Sequence, residues 1–250
     1  MFSRGRLLRG IFSAALAVFP LISLTGCADV ITYANKSRDH GMMLYREGAY
    51  GDAAGAFRNA VKQDPRQYIS HYYLALCYDQ MGQHHMAYSQ YRTALDVMDR
   101  SMAGKVDHET RPRIINSYAE SIVRHDAGDV ELSTLTRNAE AGRRAQEWVV
   151  LAKVYRIRGD ADLAIDSYRR AVHWDAQDFA VRKEFGLYLI DLNQTKDAEY
   201  YLRQAYRINS DDEQLLAGLR QIGLVPVKEK GQKVALMRTG SAPTAGVMQD

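Results

Sequence analysis

Cysteine is nearly absent: the 250 residues hold Cys27 and Cys77 and no other. That rules out a framework of several disulfides and any zinc site built on repeated Cys-x-x-Cys spacings. The seven histidines (His40, His71, His84, His85, His108, His125, His173) are scattered, and none stands in H-E-x-x-H spacing. The His84-His85 pair falls in a turn and is expected to be solvated, and no metal or other cofactor is expected. G-x-S-x-G, the phosphate-binding G-x-x-x-x-G-K-[ST] and G-x-G-x-x-G are all missing, so no catalytic motif points to an enzyme. An excess of one charge is lacking too. Of 33 basic residues three (Arg4, Arg6, Arg9) lie in the leading segment, which leaves 30 against 30 acidic ones. Nucleic-acid binding therefore has no compositional support. No small-molecule substrate is expected either.

A long apolar run is also wanting. Ile11 to Leu24 is apolar over 14 residues, short of the roughly 20 that a spanning helix needs. With the three arginines before it, the run reads as a targeting segment over residues 1–26. It ends in Leu24-Thr25-Gly26-Cys27, which resembles the lipobox of bacterial lipoproteins. That resemblance implies cleavage before Cys27, a thioether-linked diacylglycerol on its thiol and an acylated amine. At about 0.8 kcal/mol per buried methylene, such an anchor holds a protein to a membrane permanently. Ala28 follows Cys27, where an aspartate retains a proteobacterial lipoprotein at the inner membrane. The resemblance therefore implies a periplasm-facing protein of the outer membrane. The alternative is an ordinary secretory peptide with a chance cysteine at its end. Cys77 then has no partner thiol, and its place beside Leu74, Ala75 and Tyr78 marks it as a small buried hydrophobe.

What is present in quantity is a repeated helical hairpin. Trp148, Leu151, Ala152 and Tyr155 recur at the spacing of one helical face. Gly159 closes that helix, Asp160 or Asp162 can cap the next, and Ala164, Tyr168 and Ala171 form its inner face. The frame recurs at 34-residue steps: Gly41, Ala75, Ala152 and Gly186 in first helices, then Ala53, Ala87, Ala164 and Ala198, then Ala60, Ala94, Ala171 and Ala205. Turn positions hold Gly48, Gly82, Gly159 and Asn193, residues that tolerate a left-handed backbone. Large partners fall in step: Leu44, Tyr78, Tyr155 and Leu189, then Phe57, Tyr91, Tyr168 and Leu202. Helices packed about 8 to 10 Å apart need small residues at the closest approach and large ones on the flanks.

The order W-x2-L-A-x2-Y, Gly, Ala, aromatic, Ala resembles the tetratricopeptide repeat, whose unit is 34 residues. The fold class expected is all-α: a right-handed α-α solenoid of about five hairpins with a C-terminal capping helix. The layout reads as a lipidated tether (27–33) and a repeat domain (34–222) with repeats at 34–67, 68–101, 145–178 and 179–212. A diverged repeat fills 111–144, where the register is lost after a polar loop; a linker between two units is the competing reading. Asp211 or Asp212 can cap a helix over 213–222, and 223–250 is expected to be a disordered tail.

What the resemblance implies about function is binding. First helices of such an array line a concave groove, and the family's groove positions fall here on Arg38, Met42, Tyr45, Arg46, Tyr72, Leu76, Asp79 and Gln80. In the later repeats they fall on Val149, Lys153, Arg156, Lys183, Leu187 and Asp191. The mixture suits an extended or helical segment with acidic groups. Met42 and Tyr73 stand where the family's carboxylate clamp has asparagines, which argues against recognition of that kind. In plan the chain is similar to pilotins of type IV pili, to the assembly lipoprotein of tight-adherence pili and to an adaptor of peptidoglycan hydrolases. Three functions follow: an envelope scaffold for pilus or secretion-machine assembly, a tether for cell-wall hydrolases, or an enzyme with an unrecognised site.

Overall fold

The computed structural model describes residues 25–101, 109–125, 128–142, 144–227 and 235–238. Eleven helices occur among them: α1 (Thr25–Arg46), α2 (Tyr50–Gln63), α3 (Tyr68–Gln80), α4 (His84–Ser101), α5 (Thr110–Arg124), α6 (Gly128–Gly142), α7 (Ala145–Arg158), α8 (Ala161–Trp174), α9 (Phe179–Asp191), α10 (Thr195–Ile208) and α11 (Glu213–Gln221). Four pairs, α1–α2, α3–α4, α7–α8 and α9–α10, pack tightly as hairpins; the first leans on the second and the third on the fourth, and α5 joins the second to the third. The chain is the expected all-α solenoid. No helix among the described residues is long and apolar enough to cross a membrane.

The alanine-and-glycine register is what closes these hairpins. All ten alanines of the repeating frame, from Ala53 to Ala205, are fully buried. A Cβ on Gly41 would lie 2.9 Å from the Phe57 ring, and one on Gly186 only 2.6 Å from the Leu202 side chain. At these points a large side chain of the facing helix lies against the glycine, leaving no room for a methyl group. The turns follow with equal regularity. Gly48, Gly82 and Gly159 have φ of 77°, 73° and 84°, and Asn193 takes 60°. Beside each, an N–H returns to the carbonyl of a large in-step residue: Ala49 to Leu44 (3.0 Å), Gln83 to Tyr78 (2.8 Å), Asp160 to Tyr155 (2.9 Å) and Gln194 to Leu189 (2.8 Å). This six-to-one bond satisfies carbonyls that the helix end would otherwise orphan.

Helix starts are less uniform than expected. Asp212 caps α11 by accepting from the Leu215 N–H (2.8 Å), and Asp178 caps α9 through Val181 (3.1 Å). Asp160 precedes α8 but makes no side-chain cap bond. α1 starts at Thr25, so residues 27–33, read as the tether, are helical. The stretch Ala28 to Tyr33 holds no glycine or proline, so the helix of repeat one propagates backwards through it. Residues 1–24, the side chain of Cys27 and most of the polar loop (102–108) lie outside the described residues.

The third pair departs from the others in a way with a visible cause. A step of 33 residues, one short of the repeat, places Ala119 on Ala152 but Glu131 on Ala164. A carboxylate thus occupies a slot that alanine fills elsewhere. α5 and α6 touch far less than the other hairpin partners, and α5 instead packs directly against α7. α6 begins at Gly128, where a turn was expected. Two short parts of the 223–250 segment, expected to be disordered, are strands. Leu224–Val227 (β1) pairs antiparallel with Ala235–Arg238 (β2), in the register Leu224 to Arg238. Leu224 is fully buried and β1 packs on α11, so the strands complete the lid of the solenoid. Residues 228–234 and 239–250 lie outside the described residues.

Candidate partner-binding groove

The expected groove residues fall into two clusters with different characters. Near the N-terminus the surface is aromatic. The Tyr45 ring meets Tyr50 and Tyr73 edge to face, each at 5.4 Å, and Tyr73 stacks on Phe57 at 5.5 Å. Burial pushes the Tyr45 hydroxyl up to about 12, so it stays a neutral donor. The Tyr72 hydroxyl lies 3.1 Å from Ser117 Oγ and ties α3 to α5. Met42 and Leu76 are half-buried against the core, whereas Arg46 and Gln80 are exposed. Arg38 is occupied within its own helix, donating to Asp39 Oδ1 (2.8 Å) and Asn35 Oδ1 (3.1 Å).

Asp79 is drawn away from this surface. Its buried carboxylate accepts from Ser121 Oγ on α5 (2.6 Å) and lies 3.4 Å from His84 Nδ1. His84 is therefore not the solvated side chain expected from its place in a turn; it is sequestered against Asp79 and the ring of His125. The distance in sequence between residues 79 and 125 hid this cluster, because the lost register of repeat three concealed where α5 ends.

The second cluster is a groove of about 620 Å³ running across α5, α7, α9 and the start of α11. The structure brings Lys153, Arg156, Lys183 and Leu187 together on its wall, as the register requires. Their charges are already answered, however. Lys153 donates to Glu184, which also accepts from the Tyr168 hydroxyl at 2.7 Å. Arg156 reaches Asp191 at 3.1 Å and lies 4.9 Å over the Tyr188 ring. Lys183 reaches Asp212 at 2.8 Å and Gln214 at 3.2 Å. Lys153 and Arg156 reach acids one repeat on, and Lys183 reaches the N-cap of α11, so these residues form rungs from one unit to the next. Burial opposes the charge on Asp212, but the Lys183 ammonium and the N–H groups of Leu215 and Gln214 outweigh it. They hold the Asp212 carboxyl below its ordinary 3.8. A depressed carboxylate stabilises the fold above its unfolded pKa, and that contribution is lost as pH falls through the folded value.

Several lining residues escaped the sequence reading. Pro112 and Asn116 come from the diverged repeat, and Phe179, Asn209 and Gln214 from helix starts and connections. The 33-residue step that pairs Ala119 with Ala152 also pairs Asn116 with Val149; that offset was the missing signal.

A second cavity, about 520 Å³, opens where α6 stands off from its neighbours. Glu131 is buried behind two residues of its wall: it accepts from Tyr118 and lies 3.5 Å from Arg92. Burial raises the Glu131 carboxyl above its ordinary 4.5, with Tyr118 and Arg92 pulling the other way. A raised carboxylate contributes its stability below pH 4.5 and loses it as pH rises through the folded value. Glu131→Gln keeps an acceptor for Tyr118 and removes that loss. The variant should melt no lower than wild type at pH 7 and lose its relative advantage below pH 4.5; thermal melts at the two pH values decide it. The remaining cysteine is inert. Cys77 is fully buried and burial pushes its thiol up to about 12, so no thiolate is present at neutral pH.

The sequence model of the tetratricopeptide repeat family matches residues 107–219, from the start of α5 to α11. Over that span the hairpins are tetratricopeptide repeats. The two N-terminal hairpins carry the same 34-residue frame, turn geometry and buried alanines ahead of the matched span. Tetratricopeptide arrays are protein-interaction scaffolds that bind protein or peptide partners, and the array here has that form. No curated protein matches the chain by sequence. Among solved structures, the chain is similar to MamA from residue 41 of Desulfovibrio magneticus RS-1. The identity is 13%, covering 72% of this chain and 97% of that one, with a TM-score of 0.39. The pilF protein of Pseudomonas aeruginosa is 15% identical over 79% of this chain and 85% of its own, with a TM-score of 0.42. A thermophilic tetratricopeptide protein of Thermus thermophilus is 18% identical over 76% and 98%, with a TM-score of 0.45.

Proposed function

We propose that the chain is a lipid-anchored adaptor of the bacterial envelope whose groove holds an extended segment of a protein partner during assembly of a pilus or secretion machine. The observation that carries the binding role is the groove across α5, α7, α9 and α11. Its charges cancel along the rungs, and the amides of Asn116, Asn209 and Gln214 and the side chains of Leu187 and Phe179 line its wall. A balanced, amide-lined trough suits a peptide backbone with an apolar side chain better than it suits an acidic tail. The envelope part of the reading is supported by Leu24-Thr25-Gly26-Cys27 behind a short basic and apolar segment.

Two measurements separate these parts. Cys27→Ser should shift the protein from the membrane pellet to the soluble envelope fraction; a variant that stays in the pellet overturns the anchor. A photo-crosslinker placed at Leu187 in intact cells should capture an envelope protein that one at Tyr200, exposed on α10, does not. Identical adducts from both positions would overturn the groove, and adducts with cell-wall hydrolases would replace pilus assembly with hydrolase tethering.

A further inference from the structure

The Asp79, His84 and His125 cluster has a geometry that packing alone does not require. The three side chains come from three element ends: Asp79 from the last turn of α3, His84 from the first residue of α4, and His125 from the residue after α5. The other repeats manage without it. At the position of Asp79 they carry Tyr45, Arg156 and Ile190, so the cluster belongs to the junction of repeats two and three alone.

His84 Nδ1 lies 3.4 Å and His125 Nε2 3.3 Å from the same oxygen, Asp79 Oδ1. Ligand atoms on a tetrahedral zinc ion, with bonds of about 2.0 to 2.1 Å, stand roughly 3.3 Å apart. Both distances match that edge, and all three donor atoms lie within 4.8 Å of one another. His125 Nε2 is buried yet makes no hydrogen bond, although Asp79 Oδ1 is 3.3 Å away. A buried imidazole nitrogen without a partner is costly and calls for an acceptor of its lone pair or proton. Ser121 Oγ donates to Asp79 Oδ1 at 2.6 Å, the kind of outer bond that orients a ligating carboxylate. Arg124 Nη1 lies 3.6 Å from the other oxygen, Oδ2; it is half exposed, so solvent weakens its opposition to an ion without removing it.

We infer that Asp79, His84 and His125 form a binding site for a divalent transition-metal ion, with zinc the best match to two imidazoles and a carboxylate. Three protein ligands leave the fourth position to water. The imidazole rings now stack at 3.4 Å with 20° between their planes, too parallel for both lone pairs to meet one ion. Binding therefore splays the rings, which both sit at helix ends where side chains can turn. The bound ion would staple α3, the start of α4 and the end of α5. It would fix how repeat two meets the diverged repeat, where the hairpin α5–α6 is open.

The test uses the full chain, stripped of metal with a chelator, and zinc chloride as the probe. Zinc should raise the melting temperature with one ion bound per chain by calorimetry, and protons should be released as the site loads. His125→Ala and Asp79→Asn should each weaken zinc binding at least tenfold, whereas His85→Ala, beside the cluster but outside it, should not. Cobalt(II) supplies a second readout, since its visible spectrum reports four-coordinate geometry even if a variant is less stable. Absence of a zinc-dependent shift in the wild type, or equal binding by His125→Ala, overturns the site.

Discussion

Gly128→Ala is expected to cost about 3 kcal/mol or more, at the upper end of overpacking effects. An added Cβ would lie 1.8 Å from the Ile122 carbonyl oxygen and 2.8 Å from its carbon, both backbone atoms. A clashing side chain can rotate away; a carbonyl inside α5 moves only with its helix. The reason for the close approach lies in the third hairpin itself. The chain leaves α5 at Arg124 and begins α6 at Gly128, so the two helices nearly touch at this corner and diverge beyond it. Gly55→Ala is the matched control. It sits within α2 with only Arg58 Nη2 nearby, at 4.0 Å, and should stabilise by about 0.5–1 kcal/mol through helix propensity and a less free unfolded chain. Urea unfolding of the two variants measures both. Equal effects would mean that the corner is not packed as described.

Tyr168→Ala should cost about 3–5 kcal/mol, the usual loss for a large buried aromatic. The ring is fully buried, stacks on Phe185 at 5.1 Å and leans on Tyr188 at 5.8 Å. It thus bridges repeat four to repeat five through two aromatic contacts. Because a solenoid is stabilised by contacts between neighbours, that loss falls on one interface. Unfolding should then split into two steps, with α9 to α11 melting first. Tyr168→Phe separates the hydroxyl from the ring. It removes the bond to Glu184, which keeps Lys153 as a partner, and should cost only about 1.5 kcal/mol with unfolding still in one step. A single transition in the alanine variant would show that coupling runs elsewhere.

Most of the solenoid was legible because its constraints are local and periodic. A residue that must be small, or must take a positive φ, leaves its mark on the sequence wherever the unit recurs; Ala152 and Gly159 are examples. The diverged repeat broke that legibility in one residue. With Glu131 in the alanine slot and a 33-residue step, the eye loses the frame although Ala119, Tyr118 and Ile122 are all buried as it demands. The groove was half legible. Position along a helix predicted which face Lys153, Arg156 and Lys183 share, but nothing local announced the acids across from them. Glu184, Asp191 and Asp212 lie about one repeat further on, and only the stacking of repeats brings them opposite. The β1–β2 hairpin was hidden for another reason: two four-residue strands in a polar setting carry too short a pattern to stand out.

The three groove rungs have one polarity, each cation on an earlier helix gripping an acid that lies later along the array, the last of them at the cap of α11. They therefore act as short springs along the inner edge of a curved rod, resisting any increase in its radius. Individually such pairs are worth at most about 1 kcal/mol, but they pull in the same sense. Added salt weakens the more exposed Arg156 rung before the sheltered Lys153 and Lys183 ones. The bend of this array is thus a property that ionic strength tunes unevenly along its length, and the width of the trough changes with it.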